Sequence, residues 1–385
     1  MSPSFLLKGF EVELFTGRAD GTVVGVSADA ARALNGFATE PDQRNLEYIT
    51  PPDADYRRQL RWLLEPRLAL RRWLSERELT VLPGSTLSLG DSSRFVRSNP
   101  GNPYHAFIEA TYGTRVVTAS VHINLGITAM EPLFACCRLL RCEAALFLAL
   151  SASSPFLDGR STGAHSQRWL QFPLTPEQVP LFLDHAHYVR WLESMLASGA
   201  MRNERHLWTS VRPNGERRPY DLNRLELRIC DLVAEPDLLL AITALLELRL
   251  LTLLEQGDAH DPLRASRFTP EELAQLADTN DSRAAADSLD AQLVHWQDGR
   301  SIRAREWIAQ LLAQLAPLAA ELGLEGTLAP LEPLLQRGNA AMRWLQAVNG
   351  GESIASVLQR EIRWLDQRDA TLAMGLPGTP SVPLG

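Results

Sequence analysis

The sequence predicts an α+β fold, with a strand-forming part up to about Asp231 and a mainly helical part from Pro236 onward. Three observations carry this reading. Short segments of alternating apolar and polar residues recur through the first part, helical periodicity replaces them after Pro236, and the segments between strands are long and varied, so no regular parallel crossover is imposed. Residues 1–375 read as one domain, with 1–235 forming the sheet and 236–375 the helices. The piece 376–385 is rich in Pro and Gly and reads as a disordered tail.

Strands are expected at 6–15, 44–50, 78–82, 116–125, 206–212 and 224–230. Helices are expected at 56–77, with a bend at Pro66, and at 132–150, 176–197 and 236–255, the last three with proline near the start. The most apolar run, 238–254, has the length of a short membrane span but carries Glu247 and Arg249 near its middle, which hydrocarbon would penalise. It reads as a buried core helix. Cys136, Cys137, Cys142 and Cys230 show no metal-ligand spacing and read as reduced core residues. The first residues lack the pattern of a secretory signal, so a cytoplasmic location is expected.

Composition narrows the partners. Against 46 acidic residues stand 38 basic ones, a formal net charge of −8, and no global positive field exists to hold a polyanion. Neither nucleic acid nor a membrane is expected as partner. All basic residues but Lys8 are Arg, a bias that GC-rich coding explains without any function.

Four strands carry chemistry-bearing residues on one face. In the run Gly9-Phe10-Glu11-Val12-Glu13-Leu14-Phe15, Phe10, Val12 and Leu14 point one way while Glu11 and Glu13 share the other. The grammar repeats with Asn45 and Glu47, with His122 and Asn124, and with Arg224, Glu226 and Arg228. A half-exposed antiparallel sheet produces such alternation by default. Glu and Asn are poor strand formers, however, so four faces of this kind also fit one shared site. Their convergence would offer carboxylates, His122 and Asn124 to a hard cation, magnesium or manganese, and forked guanidinium groups to a triphosphate. No GxxxxGK[ST] loop and no GxGxxG turn occurs, so a nucleotide would be held by metal ions on a sheet. Residues 149–168, dense in Ser and Gly and including Ser154, read as a loop, either a solvated connector or a substrate loop ending in the anion-binding candidate Arg168.

The run from Ala149, ALSASSPF followed by DG, TG, Ser and Arg, resembles a signature of the carboxylate–amine ligase family that includes the bacterial and plant-type glutamate–cysteine ligases. GFEVELF from Gly9, EPDQRNLEYITPP from Glu40, LPGSTLSLG from Leu82, YGTRVVTASVHINLGI from Tyr112 and RLELRICD from Arg224 match it too, and the longer strings are most similar to the cyanobacterial branch. Two departures are Arg160-Ser161, where many members carry an acidic residue, and Trp169 directly after Arg168.

The resemblance implies a glutamine-synthetase-like fold, an antiparallel sheet curved around a cavity with helices outside. It implies that ATP phosphorylates the side-chain carboxylate of L-glutamate and that the amine of L-cysteine then attacks, giving γ-glutamylcysteine for glutathione synthesis. Carried over, Glu11, Glu13, Glu47, His122 and Glu226 are expected metal ligands, with Arg228 and Glu47 catalytic and Asn124, Arg168, Arg224 and Ser154 contacting substrate or ATP. A ligase or kinase using another amine or a guanidino group shares this grammar, and a non-catalytic scaffold is the remaining alternative. Glu11→Gln and Glu226→Gln are each expected to abolish magnesium-dependent turnover with little loss of fold, because neighbouring carboxylates repel without metal.

Overall fold

The structure, a computed structural model, describes residues 5–375, so the expected tail at 376–385 lies outside the described residues. The strands are β1 (Lys8–Gly17), β2 (Phe37–Thr39), β3 (Asn45–Ile49), β4 (Thr80–Leu82), β5 (Val121–Gly126), β6 (Phe156–Leu157), β7 (Arg160–Ser161), β8 (Val211–Asn214), β9 (Arg224–Leu227), β10 (Gln292–Val294) and β11 (Ser301–Arg303). The helices of the first part are α1 (Ser27–Ala33), α2 (Tyr56–Ser75), α3 (Pro103–Tyr112), α4 (Met130–Ser151), α5 (Gln167–Gln171) and α6 (His185–Ala197). Then follow α7 (Pro236–Gln256), α8 (Pro262–Ala265), α9 (Pro270–Asp287), α10 (Ala304–Glu321), α11 (Glu325–Leu328), α12 (Leu331–Arg337), α13 (Ala340–Asn349) and α14 (Ile354–Met374).

The main sheet has seven strands, in the order β2-β3-β1-β5-β9-β8, with β4 on the far end of β1, and every pairing is antiparallel. This is the expected α+β architecture. Phe10, Val12, Leu14, Leu46, Tyr48, Val121, Ile123, Leu125, Leu225 and Leu227 belong to one buried core cluster, which continues through α4 and α7. Burying ten such side chains on one face fixes strand register, because a one-residue slip would turn all of them outward. The same constraint delivers the alternate residues to the opposite face.

Helix α7 resolves the charges in the apolar run. Glu247 is buried against Lys8, whose Nζ lies 3.1 Å away, and accepts a hydrogen bond from the Tyr56 hydroxyl at 2.6 Å. Lys8 Nζ also sits 4.2 Å from the Tyr56 ring centre and donates to the Ala54 carbonyl at 2.7 Å. Arg249 pairs with buried Glu143 of α4 at 2.9 Å. No described helix is long and apolar enough to cross a membrane, and all four cysteines are free and buried.

Three expected elements shift. The helix expected over 176–197 begins at His185, since Pro180 interrupts its amide ladder and Asp184 caps the true start by accepting from the His187 N–H. The strand expected over 116–125 starts at Val121, after the 3-10 turn Gly113–Val116, and the one expected over 206–212 is Val211–Asn214, after the 3-10 turn Glu204–His206. Strand β8 includes Pro213, which its edge position tolerates. Helix α2 runs through Pro66 as one helix.

Candidate active site

Pairing brings the predicted polar residues into adjoining rows. Glu13 of β1 stands directly opposite Glu47 of β3, Glu11 opposite His122 of β5, and Asn124 opposite Glu226 of β9, which in turn faces Arg212 of β8. Two carboxylates directly across an antiparallel pair repel. Glu40, just beyond β2, adds a third beside Glu13 and Glu47.

Two sets of ligand-type groups result, Glu13–Glu40–Glu47 and Glu11–His122–Glu226, each with one donor atom per residue within 4.8 Å of the others. The first is all-oxygen, and among the described residues its nearest positive partner is His122, whose Nε2 lies 3.9 Å from Glu13 Oε1. Burial first, then the charges of Glu13 and Glu11, push Glu40 up to about 8. Burial, then Glu40, Glu13 and Glu11, push Glu47 up to about 10. Such a set fits a hard divalent cation, which would relieve both the repulsion and the shifts. Ser120 links the sets, donating to Glu13 Oε2 at 2.8 Å and lying 3.1 Å from His122 Nε2.

The second set is ion-paired. His122 Nδ1 is 3.0 Å from Glu11 Oε2, and Asn124 donates to Glu11 Oε1 at 3.2 Å while accepting from Arg224 Nε at 3.2 Å. Glu226 is fully buried and accepts from Arg212 Nε at 2.7 Å, Arg212 Nη2 at 3.1 Å, Asn214 Nδ2 at 2.6 Å and Arg228 Nη1. Burial raises its pKa, but the guanidinium groups of Arg212 and Arg228, with His122, outweigh that and hold it well below the ordinary range. Burial and Glu226 likewise push Glu11 up, and His122 with Arg228 brings it below its usual value. A cation between Glu11, His122 and Glu226 would therefore share Glu226 with two arginines.

The serine-rich segment is anchored at both ends and exposed at 158–161, and Ser154, expected to contact substrate, is instead enclosed beneath the cavity. Ser154 is fully buried, donates through Oγ to Asp231 at 2.6 Å and accepts from the Arg168 N–H at 3.1 Å. Asp231 also accepts from the Ser153 N–H at 2.9 Å and Ser166 Oγ at 2.8 Å, so its carboxylate is the anchor of the segment. The short hairpin β6–β7 lies within the segment. Arg168 spends two nitrogens on main-chain carbonyls, Nη1 on Ile229 at 3.0 Å and Nη2 on Arg228 at 2.9 Å. Arg168, expected as an anion clamp, lines the cavity and also braces the end of β9 just where Arg228 leaves the strand.

Above this face lies a cavity of about 320 Å³. Glu13, Glu40, Ser120, His122, Arg168 and Arg228 line its polar side, while Tyr104 and His105 of α3, with Phe172 and Trp208, form an aromatic wall. The Phe172 and Trp208 rings meet at 5.2 Å. Glu47, Glu11 and Glu226 adjoin through the sets described, whereas Ser154 and Arg224 are outside the lining.

The model of the glutamate–cysteine ligase family 2 matches residues 7–361. The chain belongs to that family. A Rubrobacter xylanophilus protein named "Putative glutamate--cysteine ligase 2-3" is 28% identical over 336 residues, 84% of this chain and 83% of that one. A Leifsonia xyli protein named "Putative glutamate--cysteine ligase 2" is 28% identical over 300 residues, 74% and 76% of the two chains. Among solved structures, a Francisella tularensis glutamate–cysteine ligase in complex with AMP superposes with a TM-score of 0.71 at 12% identity, over 98% of this chain and 91% of that one. A bifunctional glutathione synthetase from Pasteurella multocida superposes with a TM-score of 0.75 at 16% identity over 96% of this chain, which spans 53% of that longer enzyme. These likenesses confirm the fold of the ligase family.

Within this glutamate–cysteine ligase family member, sequence reasoning missed Glu40, Ser120, Arg212, Asn214 and Asp231 as candidate site or supporting residues. Signals existed for each. Glu40 opens and Asp231 closes matched strings, Ser120 has the parity of His122 and Asn124, and Arg212 with Asn214 alternates along β8.

Proposed function

We propose that the protein joins the side-chain carboxylate of L-glutamate to the amine of L-cysteine at the expense of ATP, in the cytoplasm, as the first step of glutathione synthesis. The observation that supports this best is the meeting of two carboxylate-rich ligand sets and Arg228 beside one cavity. Glu13, Glu40 and Glu47 would hold one magnesium or manganese ion, and Glu11, His122 and Glu226 a second. Bound there, the ions would neutralise phosphate charge during transfer.

In the first step the glutamate carboxylate oxygen bonds to the γ-phosphorus and the bond to the bridging oxygen of ADP breaks. In the second the cysteine nitrogen bonds to the acyl carbon, phosphate leaves with the shared oxygen, and the nitrogen loses a proton. Arg228 stabilises the charge that builds on the transferred group, and Arg168 holds the main chain from which Arg228 projects. Asn124 keeps Glu11 oriented, with Arg224 behind it.

Purified protein with ATP, Mg²⁺ and L-glutamate should release ADP when L-cysteine is added, with γ-glutamylcysteine detected by mass. Release driven only by another amine would replace the acceptor, and none with any acceptor would refute the ligase reading. Arg228→Lys should lower turnover about 100-fold although charge is kept, because an ammonium cannot reproduce a planar fork. Turnover of the variant close to normal would remove Arg228 from the transfer step.

Metal binding should also release protons. With Glu40 at about 8 and Glu47 at about 10 in the metal-free protein, both carry protons near neutrality that a cation must displace. Calorimetric titration with Mg²⁺ in buffers of different ionisation enthalpy should give heats that track the buffer. Buffer-independent heats would mean that these two carboxyls are not the ligands.

A further inference from the structure

Three arginines line the cavity above the sheet, Arg168, Arg205 and Arg228, and two of them are already engaged. Arg168 is spent on the carbonyls of Ile229 and Arg228, and Arg228 on Glu226. Among the described residues the Arg205 side chain has neither a hydrogen bond nor a carboxylate within ion-pairing distance. A guanidinium without a counter-charge, at the wall of a cavity, is a ready partner for a planar anion.

The side chain is free but its mount is fixed. Arg205 belongs to the 3-10 turn Glu204–His206, where its N–H donates to Asn203 Oδ1 at 2.9 Å and its carbonyl accepts from Arg212 Nη1 at 3.0 Å. The same Nη1 donates to the Leu207 carbonyl at 3.0 Å, so the arginine that pairs with Glu226 also ties down this turn. The next residue, His206, is 1% exposed, and its ring packs among those of Tyr104, Phe107, Tyr112 and Trp208, with centres 5.3–6.3 Å away. Neither ring nitrogen of His206 has a hydrogen-bond partner, so the ring acts as a peg that holds the turn in an aromatic cluster. Tyr104 lines the same cavity, and among the described residues its hydroxyl makes no hydrogen bond. Burial, then Glu40, raises the pKa of that hydroxyl while Arg205 opposes them, which puts it within reach of the guanidinium's charge.

A fork of N–H donors with a hydroxyl on the same wall is a donor set for a carboxylate. The ligase reading, on which this inference rests for its substrates, supplies two of them: L-glutamate and L-cysteine each carry an α-carboxylate that the reaction leaves unchanged. Arg228 is assigned to the transferred phosphate, Arg224 is outside the lining and Arg168 is bound to main chain, so Arg205 is the guanidinium left for this anion. We propose that Arg205 and the Tyr104 hydroxyl hold the α-carboxylate of an amino-acid substrate, and so select that amino acid over its decarboxylated counterpart.

The test is calorimetric titration of the full chain, in Mg²⁺ and ADP, with L-glutamate and L-cysteine and with 4-aminobutyrate and cysteamine, which lack the α-carboxylate. Arg205→Ala should raise Kd for one of the two amino acids about tenfold or more, and Tyr104→Phe should raise it about threefold. The decarboxylated counterpart and ADP should bind variant and wild type equally. Which amino acid is affected names the one held. An unchanged Kd for both amino acids, a rise for ADP, or a wild type that binds neither amino acid would each overturn the proposal. Failure of the ligase reading looks different: amino-acid binding that depends on Arg205, with no ADP release under any acceptor, would keep the subsite and strike only the reaction. Arg205 is exposed and both of its main-chain hydrogen bonds survive the change, so Arg205→Ala should melt like the wild type. Should it not, Tyr104→Phe, which removes one oxygen, decides alone.

Discussion

Glu47→Gln is expected to lower magnesium-dependent ADP release by about 100-fold or more and, at the same time, to raise the melting temperature of the metal-free protein. Both effects come from one cause. Glu47 stands opposite Glu13 and beside Glu40, with its pKa pushed up to about 10 by burial and by those charges. A carboxyl raised in the folded state favours folding only while protonated. Above the ordinary value of 4.5 the unfolded chain ionises freely and the folded one does not, so stability drains away as pH rises toward the folded value. The neutral amide removes that loss. Differential scanning calorimetry with chelator should show a larger gain at pH 7.5 than at pH 4.5. A variant melting below the wild type at both would show that Glu47 is held by partners rather than repelled by neighbours.

Glu226→Gln should behave in the opposite way. It also removes a carboxylate from a ligand set, and on sequence alone it is expected to be as harmless to the fold. The structure overturns that expectation. Glu226 is fully buried between Arg212 and Arg228, with Asn214 on the same oxygen as Arg212 Nε, and the amide would leave two guanidinium groups without their counter-charge. Breaking a buried ion pair from one side costs about 3–5 kcal/mol. Activity and stability should fall together, and chemical denaturation would read the second. A stability within about 0.5 kcal/mol of wild type would mean that the arginines find other partners.

The contrast between these carboxylates marks what a sequence can and cannot convey. Period-two alternation fixed the face on which Glu11, Glu13, Glu47, His122, Asn124 and Glu226 would stand, because a strand sends alternate side chains to opposite sides whatever its neighbours are. It carried no strand order. That β8 lies beside β9, and so sets Arg212 and Asn214 on Glu226, is a long-range pairing with no local trace. The serines of 151–166 were legible as a special segment but not as buried ligands of Asp231, which closes another segment far along the chain. Helix α6 started late because an N-cap at Asp184 and Pro180 before it outweighed the general helical composition of 176–197. Glu40 was missed because it lies one residue past a three-residue strand too short to announce itself.

The burial of Lys8 has a practical bearing. It is the chain's single lysine, its side chain is wholly enclosed, and its ammonium is engaged by Glu247, Ala54 and the Tyr56 ring. No described residue thus offers an ε-amine to an acylating reagent, a cross-linker or an enzyme that modifies lysine. Tryptic digestion of this protein would therefore cut only after arginine until it unfolds.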